Sequence, residues 1–98
     1  MINQVILVGR IVSDIHADDD IITIAITRNF KNENGEYDTD FIDVTIKGTL
    51  AKTTTEYCKK GDIIGVKGSI RSEDSNEIRK MILVAEKITF LSSKKEDW

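Results

Sequence analysis

Two segments of the chain alternate between apolar and polar or small side chains. In IITIAIT (21–27) isoleucine recurs at every second position, and DFIDVTIK (40–47) repeats the pattern with isoleucine and valine. Because successive side chains of a strand point to opposite faces, this period predicts two half-buried β-strands. The side chains predicted to face the core are Ile22, Ile24, Ile26, Ile42, Val44 and Ile46.

Three further segments, rich in β-branched residues, are also predicted to be strands. They cover residues 3–12, 62–72 and 78–91, and polar loops or turns separate them from their neighbours. Gly9 lies inside the first of these segments, and a glycine within a strand indicates a bulge or a sharp bend.

Residues 48–62 change to a helical period. The side chains that this period places on one face are Leu50, Thr54, Tyr57 and Cys58. We therefore expect Tyr57 to pack in the core. Lys59 and Lys60 suit the negative end of the helix dipole, and Gly61 is expected to end the helix.

The order of these elements is three strands, one helix and two strands. A five-stranded barrel with a helix between its third and fourth strands is the oligonucleotide/oligosaccharide-binding (OB) arrangement. Gly9 supplies the curvature that such a small barrel needs. The predicted fold class is all-β, a Greek-key OB-fold barrel over residues 1–91, followed by a short flexible tail over 92–98.

The turn signal Asn34-Gly35 raises a question of register between the two alternating strands. A two-residue turn there would set Ile26 opposite Asp43, so a core side chain would meet a solvent-facing one. The connection therefore needs an odd number of residues or a β-bulge. With both isoleucine rows on one side, Phe41 points outward, whereas the direction of Phe30 stays open.

Composition describes a single soluble domain of 98 residues, 40% hydrophobic and 32% charged. No run approaches the roughly 20 apolar residues that cross a bilayer, and the first residues lack the basic region of a signal peptide. The one cysteine, Cys58, fits a reducing cytoplasm. The net charge of −3 argues mildly against a nucleic-acid binder, although the run Asp18–Asp20 alone accounts for it.

Exposed aromatic residues beside basic ones are the candidate chemistry of this chain. Sequence-tolerant binding of single strands needs aromatic faces for base stacking and cations that follow the phosphates. Phe41 supplies an outward ring, and Phe30 supplies a second candidate. The basic residues expected to contact phosphates are Arg28 and Lys31, which flank Phe30, together with Lys47, Arg10, Lys67 and Arg71.

Five fragments occur in an order and at a spacing typical of one family: MINQVILVGRI, TRNFKNENGEYDTDFIDV, KGTLAK, YCKKGDIIGVKGSI and VAEKITFL. They resemble the bacterial and phage single-stranded-DNA-binding protein family over residues 1–91. The resemblance implies an OB-fold barrel that forms a homotetramer or a dimer. It also implies coating of exposed single-stranded DNA during replication, repair, recombination or DNA transfer, beside other replication or recombination proteins.

The resemblance also implies roles for individual residues. Phe30 and Phe41 match family positions where aromatic rings stack on bases. The first strand of the family helps to pair subunits, within Met1 to Gly9. The interface residues implied there are Asn3, Val5, Ile6, Leu7 and Val8.

The chain departs from this family at positions that bear on binding. Lys47 replaces a usual aromatic residue, and the turn between the last two predicted strands is short and acidic. Since each stacked base is worth about 1–3 kcal/mol, we expect weaker binding than in typical relatives, with a steep salt dependence. The family's long acidic-tipped tail is replaced by KKEDW, and we expect Glu96, Asp97 and Trp98 to form a frayed end.

Catalysis and metal binding find little support. His16 with Asp14 and Asp18 is more typical of a solvated turn than of a metal site. Cys58 lies on the predicted buried helix face with no histidine nearby, which argues against nucleophilic catalysis. We expect a non-enzyme without cofactor or metal. The alternative to DNA binding is an OB-fold protein-interaction subunit of a replication or conjugation complex, with Phe30 and Phe41 as protein contacts.

Overall fold

A computed structural model of the chain describes residues 1–15 and 20–93. Its elements follow the predicted order: β1 (Val5–Ile11), β2 (Ile21–Lys31), β3 (Tyr37–Thr45), α1 (Gly48–Tyr57), β4 (Ile63–Ser75) and β5 (Ile78–Ser92). The strands close into a barrel in the spatial order β1-β2-β3-β5-β4. Neighbouring strands are antiparallel except β3 and β5, which run parallel. This arrangement confirms the predicted OB-fold barrel.

The two alternating rows of isoleucine and valine form the centre of the core. Ile22, Ile24, Val44 and Ile46 are fully buried, as their period predicts. The outermost members of the rows, Ile26 and Ile42, are partly buried against the same cluster. The other strands and the helix complete the cluster with Ile11, Ala51, Cys58, Ile64, Val66, Leu83 and Ala85.

The register between β2 and β3 follows from keeping both rows inside the barrel. Ile24 lies opposite Ile42, so the two rows share one side of the hairpin, as predicted. The pairing then shifts between Thr27 and Lys31, which lies opposite Tyr37. This irregularity is a shift of two residues, which keeps the parity of the pairing. The odd connection, residues 32–36 between Lys31 and Tyr37, is therefore the one of the two allowed solutions that the structure uses.

Helix α1 ends earlier than its sequence pattern predicts. Its C-cap is Cys58, whose backbone N–H donates to the Thr54 carbonyl oxygen at 2.9 Å. The lysines at 59 and 60 follow this end instead of lying in the last turn. Gly61 has a φ of 100° and serves the turn into β4, not the helix terminus.

The prediction that Tyr57 packs in the core is wrong. Its side chain is 71% exposed. The buried face of α1 is centred on Ala51, Thr54 and the capping Cys58, so Tyr57 falls at the edge of that face. As the last residue of the helix, Tyr57 has no further turn beside it to cover its ring.

The last two strands form a hairpin that extends beyond the barrel. Ser75 pairs with Ile78 across a two-residue turn, in which Asn76 and Glu77 have φ values of 50° and 66°. Positive φ at both central positions is characteristic of a type I′ turn. Every residue of 71–80 is exposed, and β4 runs three residues beyond its predicted end at 72.

Candidate nucleic-acid interface

The outer face of the β2–β3 hairpin presents an aromatic ring among small side chains. Phe41 is 68% exposed and lies directly opposite Ala25. Because side chains alternate along a strand, Phe41 shares its face with Thr39 and Asp43. The single methyl group of Ala25 is too small to cover the ring, so Phe41 points outward with its ring accessible, as predicted.

Hydrogen bonds on either side of this ring fix the local surface. The Thr23 hydroxyl donates to Asp43 Oδ1 at 2.7 Å, and the Thr27 and Thr39 hydroxyls share a bond of 3.4 Å. Both are cross-strand contacts between β2 and β3, so Phe41 stands on a braced pair of strands. The same geometry places the Asp43 carboxylate on the outer face, where it disfavours a nearby phosphate.

Tyr37 is a second aromatic residue on this face, and the sequence analysis missed it. It is 54% exposed and shares a strand face with Thr39 and Phe41 by alternation. The Lys31 ammonium nitrogen lies 5.9 Å from the centre of the Tyr37 ring, within cation–π range. The signal for Tyr37 is the alternation of Tyr37, Thr39 and Phe41 in YDTDF. It was missed because the predicted strand begins at residue 40, whereas β3 begins at Tyr37.

Phe30 lies in the bulged part of β2. It is 68% exposed, as exposed as Phe41. Alternation gives Phe30 the parity of the buried isoleucines, but it lies beyond them, where residues 27–31 of β2 are all exposed. The hairpin therefore carries three exposed aromatic rings: Phe30, Tyr37 and Phe41.

A single asparagine organises the turn that holds these rings. Asn32 Oδ1 accepts hydrogen bonds from the backbone N–H groups of Asn34 and Glu36, at 2.8 and 3.0 Å. Its Nδ2 donates to Asp38 Oδ1 at 3.0 Å. Side chains that bond the backbone two residues on are typical of asparagine in turns. Asn32 thus holds the chain immediately before Tyr37.

Arg28 is bound by carboxylates on the reverse face of the hairpin. Its Nε and Nη2 atoms donate to the two oxygens of Asp40 at 3.1 and 2.8 Å, and Nη1 lies 3.8 Å from Asp38. Asp38 and Asp40 alternate with Phe41, so this cluster faces away from the outward ring. The hydrogen bond and the charge of Asp40 raise the pKa of Arg28, and the same bond lowers the pKa of Asp40.

The other basic residues expected to contact phosphates are spread over several surfaces. Lys47 is exposed at the N-cap of α1, and Arg71 is exposed on the protruding part of β4. Lys67 is exposed on β4 within the barrel. Arg10 donates through Nη1 to the Gly61 carbonyl oxygen at 2.8 Å, which ties its side chain to the turn before β4. Lys31 is thus the basic residue placed directly beside an aromatic ring of the outer face.

The outer face of β1 carries apolar side chains. Ile6 is 71% exposed and Val8 54% exposed. The Asn3 side chain exchanges two hydrogen bonds with the backbone of Ile70, at 2.6 and 2.9 Å, which anchors the start of the chain to β4. The other residues implied for an interface, Val5 and Leu7, are partly buried against the core of their own chain.

Cys58 and Asp62 are buried together behind the end of α1. Burial and the nearby Asp62 carboxylate both raise the pKa of the Cys58 thiol, so it stays protonated. Asp62 Oδ2 accepts the backbone N–H of Lys59 at 2.9 Å. A protonated, buried thiol is a poor nucleophile.

Residues 1–15 and 20–93 contain no group of three or more histidine, cysteine or acidic side chains placed to hold a metal ion. His16 and Asp18 lie outside the described residues, as do Glu96, Asp97 and Trp98 of the expected tail. In the same described part of the chain, no helix is both long and apolar enough to span a membrane.

The closed barrel, with one helix between its third and fourth strands, defines an oligonucleotide/oligosaccharide-binding barrel. The family model described as "Single-strand binding protein family" matches residues 2–91. This chain therefore belongs to the single-strand binding protein family, as its sequence fragments suggested.

Two relatives agree with this assignment, and a solved structure agrees with the fold. The chain is 38% identical over 79 residues to single-stranded DNA-binding protein B of Bacillus subtilis, covering 74% of this chain and 70% of that protein. It is 40% identical over 79 residues to single-stranded DNA-binding protein 1 of Clostridium acetobutylicum, covering 76% and 72%. The Plasmodium falciparum SSB complex with ssDNA matches with a TM-score of 0.69 at 18% identity, covering 94% of this chain and 96% of that one. At that identity the likeness shows the fold alone.

Proposed function

We propose that this chain binds single-stranded DNA without sequence preference, through the outer face of the β2–β3 hairpin. The observation that carries the proposal is the exposed Phe41, braced between cross-strand hydrogen bonds on an OB-fold barrel of the single-strand binding family. The names of the relatives from Bacillus subtilis and Clostridium acetobutylicum support DNA as the ligand.

Base stacking supplies the sequence-tolerant part of the binding energy. Phe41 and Tyr37 share a face and lie roughly 13 Å apart along the strand, at about 3.3 Å per residue. That separation allows separate bases of one strand to stack on the two rings. Each stacked base contributes about 1–3 kcal/mol. Phe30, in the bulge, is the third stacking residue of this proposal.

Basic side chains hold the phosphates between the stacked bases. Lys31, beside Tyr37, is the first of these, because its ammonium group already lies over an aromatic ring of the hairpin. Lys47, Arg10, Lys67 and Arg71 would extend the path across other surfaces. With so few cations beside the rings and Asp43 on the same face, we expect binding weaker than in typical relatives and steeply dependent on salt.

Self-association follows from the exposed apolar side chains on β1. Ile6 and Val8 together present an apolar surface on one strand, which a second copy of the chain would bury. The proposed assembly is a homotetramer or a dimer. It is a cytoplasmic, non-catalytic protein that coats exposed strands during replication, repair, recombination or DNA transfer, alongside replication or recombination proteins.

A fluorescence-anisotropy titration with labelled oligo-dT of about 35 nucleotides, at low and moderate salt, tests the proposal. Phe30→Ala and Phe41→Ala are each expected to weaken binding by a factor equivalent to about 1–3 kcal/mol per stacked base. Tyr57→Ala is the matched control, because it removes a ring that is 71% exposed at the end of α1, outside the hairpin.

The outcomes separate DNA binding from the competing function. Binding that falls with salt and drops in the hairpin variants alone supports the proposal. If the folded, self-associated protein binds no oligonucleotide at low salt, DNA binding is wrong. The competing function, a protein-interaction subunit, would then explain the exposed rings.

A further inference from the structure

Arg28 and Asp40 form a two-bond ion pair on the reverse face of the β2–β3 hairpin. The Nε–Oδ2 and Nη2–Oδ1 distances are 3.1 and 2.8 Å, so both donors on one edge of the guanidinium meet the carboxylate. The Arg28 side chain is nevertheless 45% exposed, so solvent and ligands reach it. Asp38, which Asn32 Nδ2 holds in place, approaches the remaining nitrogen at 3.8 Å.

A carboxylate in this position resembles a bound phosphate. Arginine recognises both groups with the same planar fork of donors and the same parallel pair of hydrogen bonds. A phosphate that approached Arg28 would therefore compete with Asp40 for Nε and Nη2. Arg28 shares its strand parity with the exposed Phe30, so a strand that passed from the outer face around the edge of the hairpin onto Phe30 would bring its backbone near the guanidinium.

We propose that Arg28 is a latent phosphate-binding residue and that Asp40 lowers the affinity for DNA by occupying its guanidinium. The inference rests on the proposed function and adds a residue that sets its strength. Substitution of the Asp40 carboxylate by an amide removes the competing charge and turns Arg28 into a phosphate contact.

The test is a double-mutant cycle in the same oligo-dT titration. Asp40→Asn is expected to tighten binding roughly two- to fivefold at low salt, in line with the modest strength of an exposed ion pair. The slope of log affinity against log salt should steepen by about 0.7, the value for one additional phosphate contact on a single strand. In an Arg28→Gln background, most of this gain should disappear.

Asp43→Asn is the matched control, because it removes one carboxylate from the same hairpin without touching Arg28. Asp43 bonds Thr23 and lies on the face of Phe41. Its removal should strengthen binding equally with and without Arg28, as a general effect of charge. Circular dichroism and thermal unfolding of each variant check that the fold is kept.

Two results would overturn the inference. One is an Asp40→Asn variant that binds no more tightly than the wild type. The other is a gain of the same size in the Arg28→Gln background, which would assign the effect to net charge. If the wild type binds and Phe41→Ala weakens it, these results reject the latent site alone. If no variant binds, the proposed function fails together with it.

Discussion

Phe41, Tyr37 and Phe30 meet solvent for two different reasons. Phe41 and Tyr37 alternate with residues of β3 that face the other way, so parity alone directs them outward. Phe30 has the parity of the buried isoleucines and is exposed because it lies beyond them, in a part of β2 where residues 27–31 are all exposed. The extension of β2 beyond the core therefore adds a third exposed ring to the hairpin.

At the same scale, the pKa of Asp40 measures whether the ion pair between Arg28 and Asp40 is formed. Its hydrogen bond with Arg28 lowers the pKa of Asp40 from the ordinary value of 3.8. The pair therefore stabilises the fold above the unfolded-state pKa, and this contribution is lost as the pH falls through the lower folded-state pKa. A carbon-13 NMR titration should give Asp40 a midpoint below 3.8 that rises in Arg28→Gln. A midpoint that Arg28→Gln leaves unchanged would contradict the pairing.

Gly68 lies where β4 approaches β5 so closely that there is no space for a side chain. A Cβ at this position would overlap the Val84 carbonyl oxygen, whereas a Cβ at Gly65 would meet nothing closer than 3.8 Å. We expect Gly68→Ala to lower the free energy of unfolding by about 1–3 kcal/mol, as overpacking does. Urea denaturation of Gly68→Ala and Gly65→Ala measures the difference. Equal losses in the two variants would show that the close approach to Val84 is not the cause.

At the scale of elements, the two hairpins that leave the barrel differ in how their turns are made. Asn32 organises the β2–β3 turn through its side chain, whereas the β4–β5 turn depends on backbone conformation at Asn76 and Glu77. Asparagine tolerates the left-handed region, but glutamate does not tolerate it well. The backbone of the β4–β5 turn is therefore strained at Glu77, and a glycine at this position would relieve the strain.

Replacement of Glu77 by glycine should stabilise the β4–β5 hairpin. Asn-Gly is the preferred pair for a type I′ turn, and the change should raise the free energy of unfolding by roughly 0.5–1 kcal/mol. Glu77→Gln keeps the Cβ while removing the charge, so it separates backbone strain from electrostatics. Thermal and urea unfolding of both variants provide the measurement. A gain in Glu77→Gln as large as in Glu77→Gly would assign the effect to charge.

The elements that could be predicted from the sequence are those with a face in the core. Alternation identified β2 and β3 and excluded the simple turn between them, because their isoleucine rows fill the barrel. The parts of β3 and β4 outside the barrel were missed at 37–39 and 73–75, since a strand exposed on both faces shows no apolar period.

Other features depended on tertiary contacts that periodicity does not contain. Tyr57 fits a helical face by spacing, yet the helix ends at this residue and leaves the ring exposed. The ion pair between Arg28 and Asp40 depends on the register of β2 and β3, in which Asp40 lies opposite Ile26. The outward direction of Phe41 could be predicted from alternation alone. The direction of Tyr37 could not, because the predicted strand begins three residues after the start of β3.

At the scale of the whole molecule, the net charge of −3 opposes the approach of a polyanion. Binding must therefore come from local contacts, in which stacking is insensitive to salt and phosphate pairing is sensitive. The β2–β3 hairpin carries three exposed rings and few cations beside them, so stacking is expected to contribute more to binding than phosphate pairing does.

The proposed self-association also belongs to the scale of the whole molecule, and the exposed apolar residues of β1 make it testable. Ile6→Glu is expected to shift the protein to smaller species in sedimentation-velocity experiments. In a two-fold interface each substitution occurs twice, and burial of one such side chain is worth about 1.5–3 kcal/mol. Ile78→Glu, at a 62% exposed position on the protruding hairpin, is the control. An unchanged mass for Ile6→Glu would place the interface elsewhere.

The most direct measurement of the DNA-binding surface is an NMR titration of the isotopically labelled protein with oligo-dT. Single-stranded DNA on the outer face of the β2–β3 hairpin should shift the signals of Ala25, Thr39 and Phe41 first, and the ring signals of Tyr37 and Phe30 with them. The signals of α1 around Tyr57 should stay in place. Shifts confined to other surfaces, with the Phe41 ring unaffected at saturation, would contradict binding at this face.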